Sequence, residues 1–168
     1  MRHLSFALII AVMAFTSLNV EAEDKQAIEK SIQFEELVEM LATDGHWDNQ
    51  NLLNIGLEEL IYETEEAEGG GDFYYFIYGN NVIAQTTEDY SVNLTETGSH
   101  AFAIEVTLMT DNDTKLYFKE KSDHDEFMRC VRQSSEYENY DGRESVGLSL
   151  IADDEFTGDW YIISIHGG

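Results

Sequence analysis

The sequence predicts an α+β fold in which helices pack on one face of an antiparallel β-sheet. Apolar residues recur at helical spacing between Phe34 and Leu41, which predicts an amphipathic helix near the start of the domain. Apolar and polar residues instead alternate from Ala101 to Met109, as they do in a strand with one buried face. A five-residue turn joins this strand to a second one at Lys115–Lys119, so the two strands should pair antiparallel.

The first 22 residues have the composition of a secretory signal peptide. A short basic start precedes the apolar stretch Leu4–Leu18. Small residues at Val20 and Ala22 then stand where signal peptidase reads the chain, so we expect cleavage after Ala22. A membrane anchor is the weaker alternative, because the apolar stretch is shorter than the roughly 20 residues that a spanning helix needs. Residues 23–168 are then one exported domain.

Cysteine content and charge indicate where the domain works and what it binds. Cys130 is the only cysteine, which excludes an intramolecular disulfide and favours the bacterial envelope, so the predicted location is secreted or periplasmic. The formal net charge is −25. A field of this size repels nucleic acid and anionic lipid, so we expect neither a nucleic-acid partner nor membrane insertion after cleavage. It attracts cations and basic proteins, although solubility outside the cell is the simpler explanation of the charge.

Two helices are predicted before the sheet. The first spans Lys25–Thr43, with Gly45 at its C-terminal cap. The second begins at Asp48, which has a good capping side chain. Its predicted apolar face consists of Leu53, Leu57, Leu60 and Ile61. The acidic segment 63–71 ends in three glycines and is predicted to be a flexible linker between the helices and the sheet.

The segment with the strongest β-forming composition is Phe73–Thr87, which we interpret as a β-hairpin. Six aromatic or β-branched residues occupy its first strand, Phe73–Tyr78, and the following Gly79-Asn80-Asn81 tolerates positive φ angles in a turn. Both faces of this strand are apolar or aromatic, so neither is cheaply left in water. We therefore expect a central strand with helices over one of its faces.

The remaining elements complete the predicted order. A third helix should begin at the capping residue Ser122. A polar segment, Tyr137–Glu144, follows it, and Val146–Ile151 should then pair with Trp160–Ile165 across an acidic turn, Ala152–Asp159. The predicted order is α-α-β-β-(β)-β-β-α-β-β. Because helices followed by strands occur twice, we hypothesise two structurally similar halves.

Motifs that specify catalysis are absent from the sequence, which has neither a Gly-x-Ser-x-Gly motif nor a glycine-rich phosphate loop opening onto a helix. Cys130 lies among apolar residues of the third helix and is predicted to be a core residue. No cofactor is implied. An enzyme whose site is assembled from distant residues is an alternative, with a histidine as general base. The histidines considered for that role are His46, His100 and His166.

The spacing of possible metal ligands gives little indication of a metal site. The histidines lack the HxH and HxxxH spacing of zinc sites, and the acids beside His124 are explained by the start of a helix. A calcium-like cation would need several oxygen ligands, and the better of two acidic turns for this purpose lies before the last strand. The residues considered there are Asp153, Asp154, Glu155 and Asp159. Solvated acidic side chains are the simpler interpretation, so no metal site is assigned firmly.

Aromatic residues suggest a function by binding. Nine tyrosines and two tryptophans all follow the signal segment, and they either line an open sheet face or fill a core beneath a second layer. The predicted binding face consists of Tyr74, Phe76, Tyr78, Tyr117 and Tyr161. Our leading hypothesis is an exported, non-enzymatic module that binds a basic protein, as inhibitors and immunity proteins do. A divalent-cation-binding envelope protein and an enzyme are the alternatives.

Overall fold

The computed structural model describes residues 32–44, 49–67, 71–87, 91–108 and 113–167. Within these ranges the chain forms three helices and ten strands. The helices are α1 (Phe34–Asp44), α2 (Asn49–Asn54) and α3 (Lys121–Gln133). The strands are β1 (Glu58–Ala67), β2 (Gly71–Asn80), β3 (Val82–Thr86), β4 (Val92–Glu96), β5 (Phe102–Leu108), β6 (Asp113–Phe118), β7 (Tyr137–Tyr140), β8 (Arg143–Val146), β9 (Ser149–Thr157) and β10 (Trp160–Gly167).

Antiparallel pairing organises the described part of the chain. Eight strands form one sheet in the order β1-β2-β5-β6-β10-β9-β8-β7, and β3 and β4 form a separate two-stranded hairpin. Neighbouring strands of the large sheet are antiparallel throughout. The predicted class, α+β with an antiparallel sheet, is therefore confirmed. The antiparallel pair formed by β5 and β6 is also confirmed.

The larger hydrophobic core lies between the helices and one face of the sheet. As the alternation predicts, Phe102, Ile104 and Val106 of β5 all point into this core. α1 joins it through Phe34, whose ring lies edge-on to Phe102, Phe118 and Phe127 with centroid separations of 5.7–6.1 Å. This aromatic cluster holds the beginning of α1 against the sheet and against α3.

A smaller core covers the opposite face of the sheet. There Tyr75, Ile77, Ala103 and Tyr117 pack with Val82 of the β3–β4 hairpin. The base of the hairpin is fastened by the residue before β3, Asn81, which has a φ of 54° and accepts a 2.8 Å hydrogen bond from the Thr97 amide. Its side-chain amide also donates to the Ser99 carbonyl at 2.8 Å. The hairpin is thus a cover rather than part of the large sheet.

This arrangement corrects the hairpin predicted at Phe73–Thr87. β2 pairs with β1 and β5, while β3 pairs only with β4 in the described residues. The physical reason is that both faces of β2 are apolar: Phe76 and Tyr78 are buried beneath the helices, and Tyr75 and Ile77 are buried on the other side. Because the chain leaves the large sheet after Asn80, β3 can cover the face of β2 that carries Tyr75 and Ile77.

The predicted second helix and the predicted linker also differ from the structure. α2 ends at Asn54, and Gly56 then adopts a φ of 97°, which turns the chain out of the helix. The following residues, Glu58–Ala67, pair with β2 as an edge strand. Of the predicted linker, 63–71, residues 63–67 belong to β1 and residue 71 begins β2. Strand pairing with β2 outweighs the helical spacing of the leucines.

The C-terminal half contains more strand than predicted. The polar segment Tyr137–Glu144 contains β7 and the start of β8, and β9 extends to Thr157 through the predicted acidic turn. The actual turn between β9 and β10 is at Gly158 and Asp159. Acidic residues are tolerated in this part of β9 because they are exposed, while pairing with β10 satisfies the backbone.

The helix boundaries contain two further differences. α3 begins at Lys121 with Glu120 at its cap position and no side-chain capping bond there, so the prediction that Ser122 caps the helix is wrong. The predicted first helix begins at Lys25, and only its later part lies in the described residues, as α1.

The predicted signal peptide, 1–22, lies outside the described residues. No helix in the described ranges is long and apolar enough to cross a membrane.

A close contact between α1 and the β8–β9 turn leads to a prediction about stability. Gly147 has a φ of 59°, and a Cβ added there would lie 2.4 Å from the Ala42 carbonyl oxygen. Gly158 has a similar φ of 62°, but a Cβ there would meet nothing within 4 Å. Backbone strain at a positive φ costs an alanine roughly 1–2 kcal/mol at either site. We expect Gly147→Ala to lower the free energy of unfolding by at least about twice as much as Gly158→Ala, since α1 must also move.

Urea unfolding of both variants and of the unaltered protein measures this difference. The Gly158→Ala variant is the control because it carries the strain without the overlap. Equal losses of stability in the two variants would show that the contact between Ala42 and the turn is not tight.

Candidate functional site

The structure divides the five aromatic residues of the predicted binding face between the two cores. Phe76 and Tyr78 are buried under the helices, and Tyr74 and Tyr161 are partly buried against the same core. Tyr117 points to the opposite face, where it is buried beside the β3–β4 hairpin. These side chains therefore do not form one open surface.

Strand alternation separates the acids considered for a cation. Asp153 and Glu155 of β9 lie opposite Ser164 and Ile162, whereas Asp154 lies on the other face, where its Oδ1 is 3.0 Å from His124 Nε2. Asp159 lies beyond the strand in the turn. Among the described residues, no group of three or more histidine, cysteine, aspartate or glutamate side chains is placed to hold a metal ion.

The histidines considered as general bases lie apart. His100 Nδ1 is 3.0 Å from the Asp123 carboxylate, and His166 Nδ1 is 2.7 Å from Asp113 Oδ1. His166 pairs with Asp113, the first residue of β6. His100 lies two residues before Phe102, which pairs with Phe118, the last residue of β6. The length of β6, roughly 16 Å, therefore separates them. The third candidate, His46, lies outside the described residues.

A buried carboxylate, Glu105, was not predicted from the sequence. Its side chain is on the face of β5 covered by the β3–β4 hairpin and is only 8% exposed. Tyr75 donates a 3.0 Å hydrogen bond to Oε1, and Tyr117 donates to Oε2. Burial raises the pKa of both phenols, and the adjacent Glu105 carboxylate raises it further. Alternation places Glu105 on the polar side of β5, but only the register of β2 and β6 brings the two hydroxyl groups to it.

A cleft with a volume of about 610 Å³ lies between α1 and α3. The beginning of α1 lies beside the middle of α3, because Phe34 packs on Phe127 and Glu35 Oε1 lies 3.9 Å from Arg129 Nη2. The end of α1 lies beside the residues that follow α3, so the two helices run in the same direction. At the far end, Ala42 contacts the turn at Gly147, whose amide donates to the Glu136 carbonyl. The cleft is therefore bounded at both ends by contacts between packed elements.

The cleft has an apolar floor and an acidic rim. Val38, Ala42 and Cys130 form the floor. The first and last of these are almost fully buried, and burial raises the pKa of the Cys130 thiol. The rim carries three glutamates and four uncharged polar residues: Glu35, Glu39, Glu136, Thr43, Gln133, Ser134 and Ser135. This combination suits a ligand that is cationic at one end and apolar along its length.

Helix geometry increases the negative potential at one end of the cleft. α1 and α3 both end close to Glu136, so the partial negative charges of their last carbonyl groups lie at the same end. Arg129 lies nearer the Glu35 end, where Glu126 accepts hydrogen bonds of 2.5 Å and 2.8 Å from its guanidinium group. The same guanidinium group also donates to Gln133 Oε1 and, at 3.8 Å, to Cys130 Sγ. The end near Glu136 is therefore the more attractive one for a cation.

Comparisons with protein-family models, with curated proteins and with solved structures gave no match to this chain.

The buried carboxylate generates a prediction about stability. Glu105→Leu removes the shared acceptor, so each of the two buried hydroxyl groups loses a hydrogen bond, which costs roughly 1–3 kcal/mol for each buried donor. We expect a large loss in the free energy of unfolding for this variant. Glu155→Leu is the matched control, because Glu155 is exposed on the same side of the sheet.

A triple variant separates the lost hydrogen bonds from other effects. Adding Tyr75→Phe and Tyr117→Phe to Glu105→Leu removes the two hydroxyl groups that lost their acceptor, so the triple variant should be more stable than the single one. Urea unfolding measures all three. A single variant as stable as the Glu155→Leu control would contradict the proposed role of Glu105.

The raised pKa values predict how stability falls at alkaline pH. Burial raises the pKa of Tyr75, Tyr78 and Tyr117, and Tyr78 also donates a 2.9 Å hydrogen bond to Glu59. An unfolded tyrosine ionises near pH 10, so the stability due to these phenols is complete below about pH 10 and is lost as the pH rises further. Absorbance at 295 nm should show these three tyrosines ionising only as the protein unfolds.

One substitution tests this assignment. Tyr117→Phe removes a buried phenol and should reduce the absorbance change that accompanies unfolding. Ionisation of every tyrosine in one phase near pH 10, before any loss of circular dichroism, would contradict the prediction.

Proposed function

We propose that this protein is an exported acidic module, without catalytic activity, that binds a basic protein in the manner of an inhibitor or immunity protein. The observation that carries this proposal is that most of the basic side chains in the described residues are paired with the protein's own acids. Four of the six lysines and arginines in the described residues are in ion pairs with the protein's own carboxylates. These pairs are Lys119–Glu96, Lys121–Asp125, Arg129–Glu126 and Arg132–Glu144, with separations of 2.5–2.8 Å.

This pairing leaves the excess of acids to face solvent. The formal net charge of −25 is therefore not offset by a separate basic surface built from these four side chains. Such a field accelerates association with cationic proteins and opposes association with nucleic acid or anionic lipid. A basic protein is accordingly the partner that this surface fits best.

Export is part of the proposal. The apolar segment Leu4–Leu18 and the small residues before position 23 support a secreted or periplasmic location. In that compartment basic hydrolases are the class of target that an acidic inhibitor would meet. The two alternatives receive less support, because strand alternation separates Asp154 from Asp153 and β6 separates His100 from His166.

We also propose that the sheet consists of two similar halves joined at its centre. The first half contributes β1-β2-β5-β6 and the second β10-β9-β8-β7, so the last strand of each half meets the other in the middle. The halves differ in their covers, because the β3–β4 hairpin belongs to the first. If the halves are separate folding units, chains 23–119 and 120–168 should reassemble when expressed together, and failure to do so would weaken this proposal.

Binding to defined basic proteins tests the main function. The exported form, residues 23–168, should bind at least one of a set that includes a basic lysozyme and a basic ribonuclease, and should inhibit the enzyme that it binds. Calorimetry at low and moderate salt should show affinity that weakens with salt, since screening shortens the reach of the field to about 8–10 Å near physiological ionic strength.

Polyglutamate of similar charge is the control for unspecific attraction. An inhibitor should bind its target more tightly than polyglutamate does at moderate salt, because shaped contacts add to the charge. Absence of binding to every basic protein tested, at low as well as moderate salt, would contradict the proposed function.

A further inference from the structure

We propose that the cleft between α1 and α3 receives a basic segment of the partner, in which an arginine or lysine stands next to an apolar side chain. This inference rests on the proposed function, since it assigns a site to the same partner. The occupant is a polypeptide, because the charge of the rim and the apolar floor together fit a side chain that has an aliphatic stem and a cationic head.

The size and floor of the cleft fit such a segment. A volume of about 610 Å³ falls within the 300–1,000 Å³ that is typical of ligand-binding clefts. Val38 and Cys130 are already part of the core, with 3% and 5% exposure, so their cleft-facing surface is held in place. A preformed apolar floor reduces the ordering cost that binding must overcome.

The charge of the cleft selects a cation. Glu39 and Glu136 are exposed on its rim, and the last turns of both helices add partial negative charge at the same end. Arg129 lies toward the Glu35 end of the cleft, where its guanidinium group is paired with Glu126 and also contacts Gln133 and Cys130. It reduces the negative potential of that part of the cleft, so a guanidinium or ammonium group should enter near Glu136 rather than near Arg129.

A second copy of this chain is a poor occupant. Two molecules with a formal net charge of −25 repel each other, and a self-interface at this cleft would bring two sets of glutamates together. A small organic cation alone would leave the apolar floor uncovered. The small cation is an outcome that the following experiment distinguishes.

The experiment compares two variants with the same change in charge. Thr43→Arg places an internal guanidinium in the cleft, whereas Thr157→Arg places one at the end of β9. Both threonines are exposed, so each variant should fold. The probe is a capped five-residue peptide of alternating leucine and arginine, and its affinity is measured by calorimetry. We expect Thr43→Arg to weaken binding by about tenfold or more and Thr157→Arg by less than about threefold.

A second pair of variants tests the site without adding a side chain to the cleft. Glu39→Gln with Glu136→Gln removes two rim charges, and Glu58→Gln with Glu155→Gln removes two exposed charges elsewhere. The first pair should weaken peptide binding several-fold more than the second. Equal effects within both comparisons, or no measurable binding of the peptide, would overturn the proposed site.

Free arginine in place of the peptide tests the contribution of the apolar floor. Equal affinity for arginine and for the peptide would show that a small cation suffices.

These outcomes separate the site from the function. If basic proteins bind but the peptide and variants give the overturning results, the acidic module stands and the cleft is not its binding site. If no basic protein binds at all, the proposed function fails irrespective of the peptide.

Discussion

Burial of both faces of β2 is the constraint on which the rest of the structure depends. Phe76 and Tyr78 on one face and Tyr75 and Ile77 on the other are all at most 4% exposed. One layer cannot shield both sides, so the helices cover the first face and the β3–β4 hairpin covers the second. Because β3 leaves the sheet to do this, β2 takes β1 and β5 as neighbours, and this choice sets the strand order of the first half.

The second cover also explains how an acidic protein can bury one of its carboxylates. Ionised Glu105 would be costly beneath the hairpin without hydrogen-bond donors. Tyr75 and Tyr117 supply them from the strands on either side of β5. A one-residue slip of β2 or β6 would move its tyrosine to the opposite face of the sheet. The two bonds therefore fix the register of three strands as well as satisfying the carboxylate.

Local sequence patterns predict the elements whose own periodicity is clear. β5, β6 and the described part of α1 carry clear periodicity, and the structure agrees with it. The beginning of β1 is predicted as helix because Leu57, Leu60 and Ile61 also fit helical spacing, and only pairing with β2 decides between the two. The later part of β9, from Ala152 to Thr157, is predicted as a turn because its acids suggest solvent, which an exposed strand also provides.

Only the acidic charge of the candidate site could be predicted from the sequence. The rim glutamates are visible in the sequence as acids of an amphipathic helix, but the cleft exists because α1 and α3 lie side by side. That arrangement depends on the cluster of Phe34 with Phe127 at one end and on the contact of Ala42 with Gly147 at the other. These residues are far apart in sequence, and no short-range pattern indicates that they meet.

Charge and shape contribute to recognition at different distances. Near physiological ionic strength the field of the surface acids is screened beyond about 8 Å, so it guides a cationic protein without identifying it. Any preference for one basic protein must then come from contacts made within a few ångströms. The cleft between α1 and α3 joins an apolar floor to rim glutamates at that range. In the proposed mode of binding, selectivity for a partner depends on the packing of these two helices, and the surface charge governs how fast that partner arrives.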